Sequence, residues 1–174
     1  MSHLNYLREL IRTIPDFPKP GILFYDITTL VKDAKGLQLA TEALATPFLD
    51  KPIDCVVGIE ARGFIFAALV AYRLGVGFIP IRKPDKLPAK VTRASYPMEY
   101  GQQTLEMHRD AFTPGSRVLI VDDLLATGGT MQAGIEMIHT LQGEIVGLTF
   151  LIELEALQAK SKLGPYLVHS VLKF

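Results

Sequence analysis

The sequence predicts an α/β fold, a mainly parallel twisted sheet flanked by helices. Two observations carry the prediction. Short apolar runs of strand length (53–59, 76–81, 117–121 and 144–152) alternate with helical patterns, the signature of a parallel sheet with helical crossovers. The 174 residues, 49% hydrophobic and 21% charged, suit one domain over residues 1–174 with one packed core.

Taken in order, Ser2 is placed to cap a helix carrying Leu4, Leu7, Leu10, Ile11 and Ile14 on one side, ended by Pro15. Phe17-Pro18-Lys19-Pro20-Gly21 cannot be regular structure and reads as a shaped loop. A helical pattern runs from about Gly36 to Leu49, and Ile53 to Ile59 is a strand broken by Glu60-Ala61-Arg62-Gly63. Phe64 to Leu74 reads as a helix closed by Gly75, and Val76 to Ile81 as a strand. From Arg82 to about Arg109, basic residues and prolines alternate with few apolar ones. That stretch is too long for an ordinary connection and reads as a functional flap or hairpin. Arg117 to Val121 is a strand, Gly128 to about Leu141 a helix and Glu144 to Ile152 a strand. A short helix and a last strand, Tyr166 to Leu172, follow. In parallel sheets ligands bind beyond the carboxyl ends of strands, so the loops after Ile59, Ile81 and Val121 are the candidates.

Composition narrows the function. Lys plus Arg equals Asp plus Glu at 18 each, which gives no reason to expect general binding to nucleic acid or an anionic membrane. The single cysteine, Cys55, sits in an apolar run and reads as a small buried residue. No secretory signal or membrane span is recognised, so a cytoplasmic protein is expected.

Most of the signal lies in Val118-Leu119-Ile120-Val121-Asp122-Asp123-Leu124-Leu125-Ala126-Thr127-Gly128-Gly129-Thr130. An apolar strand delivers two carboxylates, and a loop with two threonines and two glycines then opens a helix. Glycines admit a close backbone approach, helix-start N–H groups favour an anion, and Thr127 and Thr130 add hydroxyl donors. Carboxylates repel phosphate but accept hydrogen bonds from sugar hydroxyls and favour a cationic sugar. Together the parts suggest a phosphorylated sugar. No Gly-Lys-Ser/Thr follows, and the dinucleotide glycine pattern is missing.

These thirteen residues closely resemble the phosphoribosyl-pyrophosphate signature of the type I phosphoribosyltransferases. The resemblance implies that Asp122 and Asp123 hold the ribose hydroxyls and that Ala126, Thr127, Gly128, Gly129 and Thr130 hold the 5-phosphate. Phe17 to Thr28 resembles the N-terminal segment of the adenine-specific members, a small hood over the purine within residues 1–30. By that resemblance Phe24 stacks on the base while the main chain of Leu23 and Tyr25 reads its amino edge. Those members usually place arginine where this chain has Tyr25; a main-chain role does not depend on the difference. Taken alone, Phe24 also fits simple core packing.

Val57-Gly58-Ile59-Glu60-Ala61-Arg62-Gly63-Phe64 resembles the family's pyrophosphate loop. The resemblance implies that Arg62 pairs with diphosphate oxygens and that the Glu60-Ala61 bond is cis. Residues 82–109 correspond to a mobile flap. By the same resemblance Arg82, Lys83 and Lys86 are expected to neutralise the departing diphosphate, Tyr100 to cover it, and Glu99 to act as acid/base near purine N7. By themselves the charged residues read as a solvated face, and Tyr100 carries no signal.

The activity implied is transfer of ribose 5-phosphate from phosphoribosyl pyrophosphate to adenine, giving AMP and diphosphate. Mg²⁺ is implied as cofactor, held mainly by substrate and water rather than by direct protein ligands, and a homodimer is implied as the assembly. Competing readings are the same chemistry on another base, a non-catalytic regulator sensing phosphoribosyl pyrophosphate, and a relative of phosphoribosyl pyrophosphate synthetases.

Overall fold

The computed structural model describes residues 2–97 and 101–174. Along its central strand, β7 (Arg117–Leu125), successive side chains enter two different cores. Val118 and Ile120 pack into one, Leu119 and Val121 into the other. Such double burial is what a parallel sheet covered on both faces requires. β7 is the middle of five strands, with β3 (Cys55–Ile59) and β4 (Gly77–Ile81) on one side and β8 (Glu144–Glu153) and β9 (Val168–Lys173) on the other. Every pairing among the five is parallel.

One face carries α1 (His3–Glu9), α2 (Thr28–Val31), α3 (Ala34–Ala45) and α4 (Gly63–Leu74), through Leu7, Leu30, Leu44, Phe66 and Val70. The opposite face carries α5 (Gly129–Thr140), through Met131, Met137 and Ile138. Beside it lies an antiparallel hairpin of β5 (Val91–Pro97) and β6 (Gln102–His108), which buries Ala94, Leu105 and Met107. The hairpin occupies the stretch read as a flap.

The chain leaves β3 through α4 to reach β4 on one side, then returns to β7 on the other side of β3. Adjacent strands β3 and β7 therefore send their carboxyl ends to helices on opposite faces, which opens the crevice that ligands occupy in such sheets.

Two elements differ from the expectation. The first helix does not run to Pro15. It spans His3–Glu9, with the Ser2 side chain accepting from the Asn5 N–H at 3.3 Å. Arg12–Pro15 is instead strand β1, antiparallel to β2 (Leu23–Asp26). Tertiary contacts override the helical spacing here: Arg12 pairs with Asp26, and the carbonyl of Leu10 accepts from Thr29 Oγ1 at 2.6 Å. Leu4, expected on the packed side, is exposed. Asp26 also accepts from the Thr28 N–H at 2.8 Å. That bond first, and Arg12 second, hold its carboxyl down at about 2. The second difference is the length of β7. The apolar run ends at Val121, but the strand continues to Leu125, because Asp122, Leu124 and Leu125 keep their register with Phe150, Ile152 and Glu153 of β8. The two aspartates are thus fixed within a strand, not displayed on a loop. Elsewhere the expected elements are found with shifted ends. α3 stops at Ala45, and a 3-10 turn, Thr46–Phe48, completes the run toward Leu49. The short helix after β8 is two 3-10 turns, Glu155–Leu157 and Ala159–Lys162. α2 is an addition, and Gly75 at φ 71 closes α4.

Candidate active site

At the end of β7, Asp122 and Asp123 are 9% and 6% exposed. Asp122 Oδ1 accepts from the Asp123 N–H at 2.9 Å. Asp123 Oδ2 is buried with no hydrogen-bond donor aligned on it, although Arg62 Nε stands 2.8 Å away as an ion pair. Burial pushes both carboxyls up, Asp122 well above its usual range, with the neighbouring Asp123 charge adding to it. Arg62 opposes the shift at both groups. Such a pair is ready to accept donors: hydroxyls bonding to carboxylate oxygens would favour the ionised form. Gly63 lies directly beside it. A Cβ at that position would overlap Asp122 Oδ1, so only glycine lets α4 start this close to the carboxylate.

Beyond Leu125 the chain turns through Ala126 and Thr127 into Gly128, at φ 88, which leads into α5. The first intrahelical bond runs from the Gln132 N–H to the Gly128 carbonyl, 2.9 Å. The N–H groups of Gly129, Thr130 and Met131 precede it and face the helix start, where an anion is favoured. Thr127 is exposed. Thr130 Oγ1 donates to the Tyr96 hydroxyl at 3.0 Å.

The loop after β3 is built differently. Its Glu60–Ala61 bond is cis, as the resemblance implies. Glu60 Oε2 accepts from Arg82 Nε at 3.0 Å and from the Lys83 N–H at 3.1 Å, tying this loop to the end of β4. Arg62 spans the crevice: besides Asp123, it reaches the Tyr25 carbonyl at 3.5 Å and sets its Cζ 5.2 Å from the centre of the Phe24 ring.

A cavity of about 250 Å³ lies between the two loops, lined by residues 59–62, 122–128, 130 and 131. The structure thus brings Arg62, Asp122, Asp123, Ala126, Thr127, Gly128 and Thr130 together, with Gly129 at the rim against Tyr96. Arg82 is engaged by Glu60, and Lys83 and Lys86 are exposed outside the cavity. Leu23, Phe24 and Tyr25 lie on β2, beyond Arg62. Phe24 meets the edge of Phe17 at 5.1 Å, whereas the Tyr25 side chain packs on Phe174 at 4.7 Å. The side chain that departs from the family pattern is therefore used structurally. Glu99 and Tyr100 lie outside the described residues.

Cys55 is buried, and its thiol is pushed up to about 11 by that burial, in keeping with a packing role. Sequence reading overlooked Glu60, Gly63 and Tyr96. Only a glycine after a charged turn hinted at Gly63; the other two are defined by partners distant in sequence. Among the described residues no cluster of three or more metal-ligating side chains forms, and no helix is long and apolar enough to cross a membrane.

A family model described as a phosphoribosyl transferase domain matches residues 28–170. An adenine phosphoribosyltransferase of Acidobacterium capsulatum is 55% identical, over 97% of this chain and 93% of that one. The crystal structure of the adenine phosphoribosyltransferase from Rhodothermus marinus superposes with a TM-score of 0.94 at 50% identity, covering 99% of this chain and 98% of that one. The enzyme of that name from Saccharomyces cerevisiae, crystallised with an imino-altritol bisphosphate and adenine, gives 0.92 at 36% identity, over 97% and 98% of the two chains.

Proposed function

The chain belongs to the phosphoribosyltransferase family, and we infer that it transfers ribose 5-phosphate from phosphoribosyl pyrophosphate to N9 of adenine, giving AMP and diphosphate. One observation carries this reading: two buried carboxylates and an open helix start converge where β3 and β7 diverge, with an aromatic hairpin across the crevice.

The residues divide the work by chemistry. Ala126–Thr130 bind the 5-phosphate through main-chain N–H groups and hydroxyls. Asp122 and Asp123 accept from the ribose 2- and 3-hydroxyls. As the bond from C1 to the diphosphate oxygen loosens, the sugar gains positive charge, which the same carboxylates stabilise. Arg62 is held by Asp123 and the Phe24 face. A diphosphate competes for it with two or more anionic oxygens, so Arg62 moves to the leaving group and uncovers the aromatic face for adenine. Leu23 and Tyr25 then read the amino edge with main-chain groups held in the β1–β2 pairing. Lys83 and Lys86 are exposed and add positive charge toward the diphosphate. Glu99 manages the proton at N7 while N9 attacks C1, and Tyr100 helps exclude water.

Mg²⁺ fits the donors present. The two carboxylates suit an ion that keeps several waters and binds mainly through substrate oxygens. Asp122 and Asp123 would hold it through those waters and the ribose. It supplies neutralisation of the diphosphate charge. Family membership also supports a homodimer, and Ile65, Tyr72 and Phe78 on α4 and β4 are exposed apolar side chains.

Turnover with adenine, guanine, hypoxanthine and uracil, each with phosphoribosyl pyrophosphate and Mg²⁺, tests the reading. Adenine alone should give a nucleotide at an appreciable rate. Efficient use of a 6-oxo purine would overturn the assignment of the base.

A further inference from the structure

Tyr96 is not accounted for by the chemistry above, yet it joins the β5–β6 hairpin to the phosphate cradle. Its ring lies against the first residue of α5, so closely that a Cβ on Gly129 would come within 2.8 Å of Tyr96 Cδ2. Its hydroxyl accepts from Thr130 Oγ1 at 3.0 Å and donates to Gln103 Oε1 at 2.8 Å. Gln103 is its direct cross-strand partner. A chain of two hydrogen bonds therefore runs from the helix start, through Tyr96, to the second strand of the hairpin.

We propose that Tyr96 is a positioning residue that reports occupancy of the phosphate cradle to the hairpin. The inference rests on the reading of Ala126–Thr130 as the 5-phosphate site. A threonine hydroxyl has one proton and a tyrosine hydroxyl has one. In the structure both point the same way, Thr130 to Tyr96 to Gln103. A phosphate oxygen in the cradle is the stronger, charged acceptor and draws the Thr130 proton. Thr130 Oγ1 then offers Tyr96 only lone pairs. The Tyr96 hydroxyl reverses to donate to it, and Gln103 Oε1 loses its donor. Gln103 must turn its amide N–H group toward Tyr96 or release the contact. Either response changes the hairpin at the Tyr96–Gln103 pair, one pair before Pro97–Gln102, while the ring stays seated on Gly129. The direction of two protons, not a large displacement, carries the signal.

The test is hydrogen–deuterium exchange of the full-length chain with and without ribose 5-phosphate, on wild type, Tyr96→Phe and Gln103→Met, with ribose 5-phosphate affinity measured in parallel. Tyr96→Phe keeps the ring on Gly129 and removes only the hydroxyl; Gln103→Met keeps length and removes the acceptor. In wild type, ribose 5-phosphate should alter exchange in peptides from β5 and β6. In both variants it should bind within about twofold of wild type while that response disappears, and kcat should fall about fivefold, the worth of one neutral hydrogen bond. A hairpin response of wild-type size in Tyr96→Phe would overturn the relay alone. Loss of ribose 5-phosphate affinity in proportion to kcat would make Tyr96 a ligand-binding residue and also overturn it. Failure of ribose 5-phosphate to bind wild type would remove the cradle itself, and the relay with it.

Discussion

The loops after β3 and β7 occupy equivalent places, each joining a central parallel strand to the first turn of a helix, but they are held by different means. The β7 loop is glycine-rich and largely free of charge, and its shape follows from Gly128 in the left-handed region and from open N–H groups at α5. The β3 loop is fixed through charged side chains: Glu60 to Arg82 and Lys83, Arg62 to Asp123. One loop presents backbone to a ligand. The other is braced by ion pairs, Arg62 on Asp123 and Glu60 on Arg82. Replacing backbone-limiting residues should therefore act on geometry, and replacing ion-pair partners on the availability of charge.

The largest effect is expected where the two loops touch. Gly63→Ala places a methyl group on Asp122 Oδ1, and the atom met belongs to a short side chain anchored in a paired strand. The carboxylate must move by a large part of an ångström. Misplacement of that size costs about 100-fold in turnover, with about 1–3 kcal/mol of stability lost to overpacking. Steady-state kinetics and thermal unfolding of the variant measure both. Retention of more than a tenth of wild-type activity would show that the contact is not rigid.

This contrast also explains what could be read beforehand. The arrangement of the β7 loop is legible because its pattern is local: strand, two aspartates, two threonines and two glycines are contiguous, and the structure keeps them along one cavity wall, with Gly129 at its rim. The β3 loop was legible only by resemblance. Arg62 and Arg82 looked like free cations in sequence, whereas their partners, Asp123 and Glu60, lie 61 and 22 residues away. The parallel sheet followed from alternation of strand and helix. The shortness of α1 did not, because Arg12 gains Asp26 only once β1 and β2 are paired. Tyr25 shows the same limit. Its side chain is explained by Phe174 and by Arg8 stacked 4.5 Å above that ring, three segments that meet only in the folded chain.

A smaller effect separates the loops by charge. Glu60→Gln keeps the size and one acceptor oxygen but removes the anion that holds Arg82. Arg82 is then less well placed, and the Lys83 N–H loses a charged acceptor. The expected result is about a tenfold rise in KM for phosphoribosyl pyrophosphate, a loss in the range of one charge-assisted bond. KM for adenine should change little, because the bonds Glu60 makes run to Arg82 and Lys83 at the end of β4 rather than to the β1–β2 hairpin. Equal changes in both constants would mean that the substitution disturbs the whole crevice instead of one anion subsite.

The smallest expected effect is on stability, and it runs opposite to activity. Burial raises the Asp122 carboxyl well above its ordinary value in the folded chain, whereas the unfolded value stays near about 3.9. A group of this kind binds its proton more tightly when folded, so the stability associated with that proton is complete below the unfolded pKa. It is lost as pH rises from there through the folded pKa. The amide introduced by Asp122→Asn does not titrate, and its oxygen can still accept from the Asp123 N–H. The substitution should therefore leave thermal stability unchanged near pH 4. Toward neutrality it should raise stability by about 1 kcal/mol, or about 2–4 °C for a chain of this size, while turnover falls because an amide is a poorer partner for ribose hydroxyls and an electron-poor sugar. Melting curves across that pH range decide the point. A gain already present at pH 4 would trace the effect to packing, and no gain at neutral pH would mean that Arg62 fully offsets the cost of burying the charge.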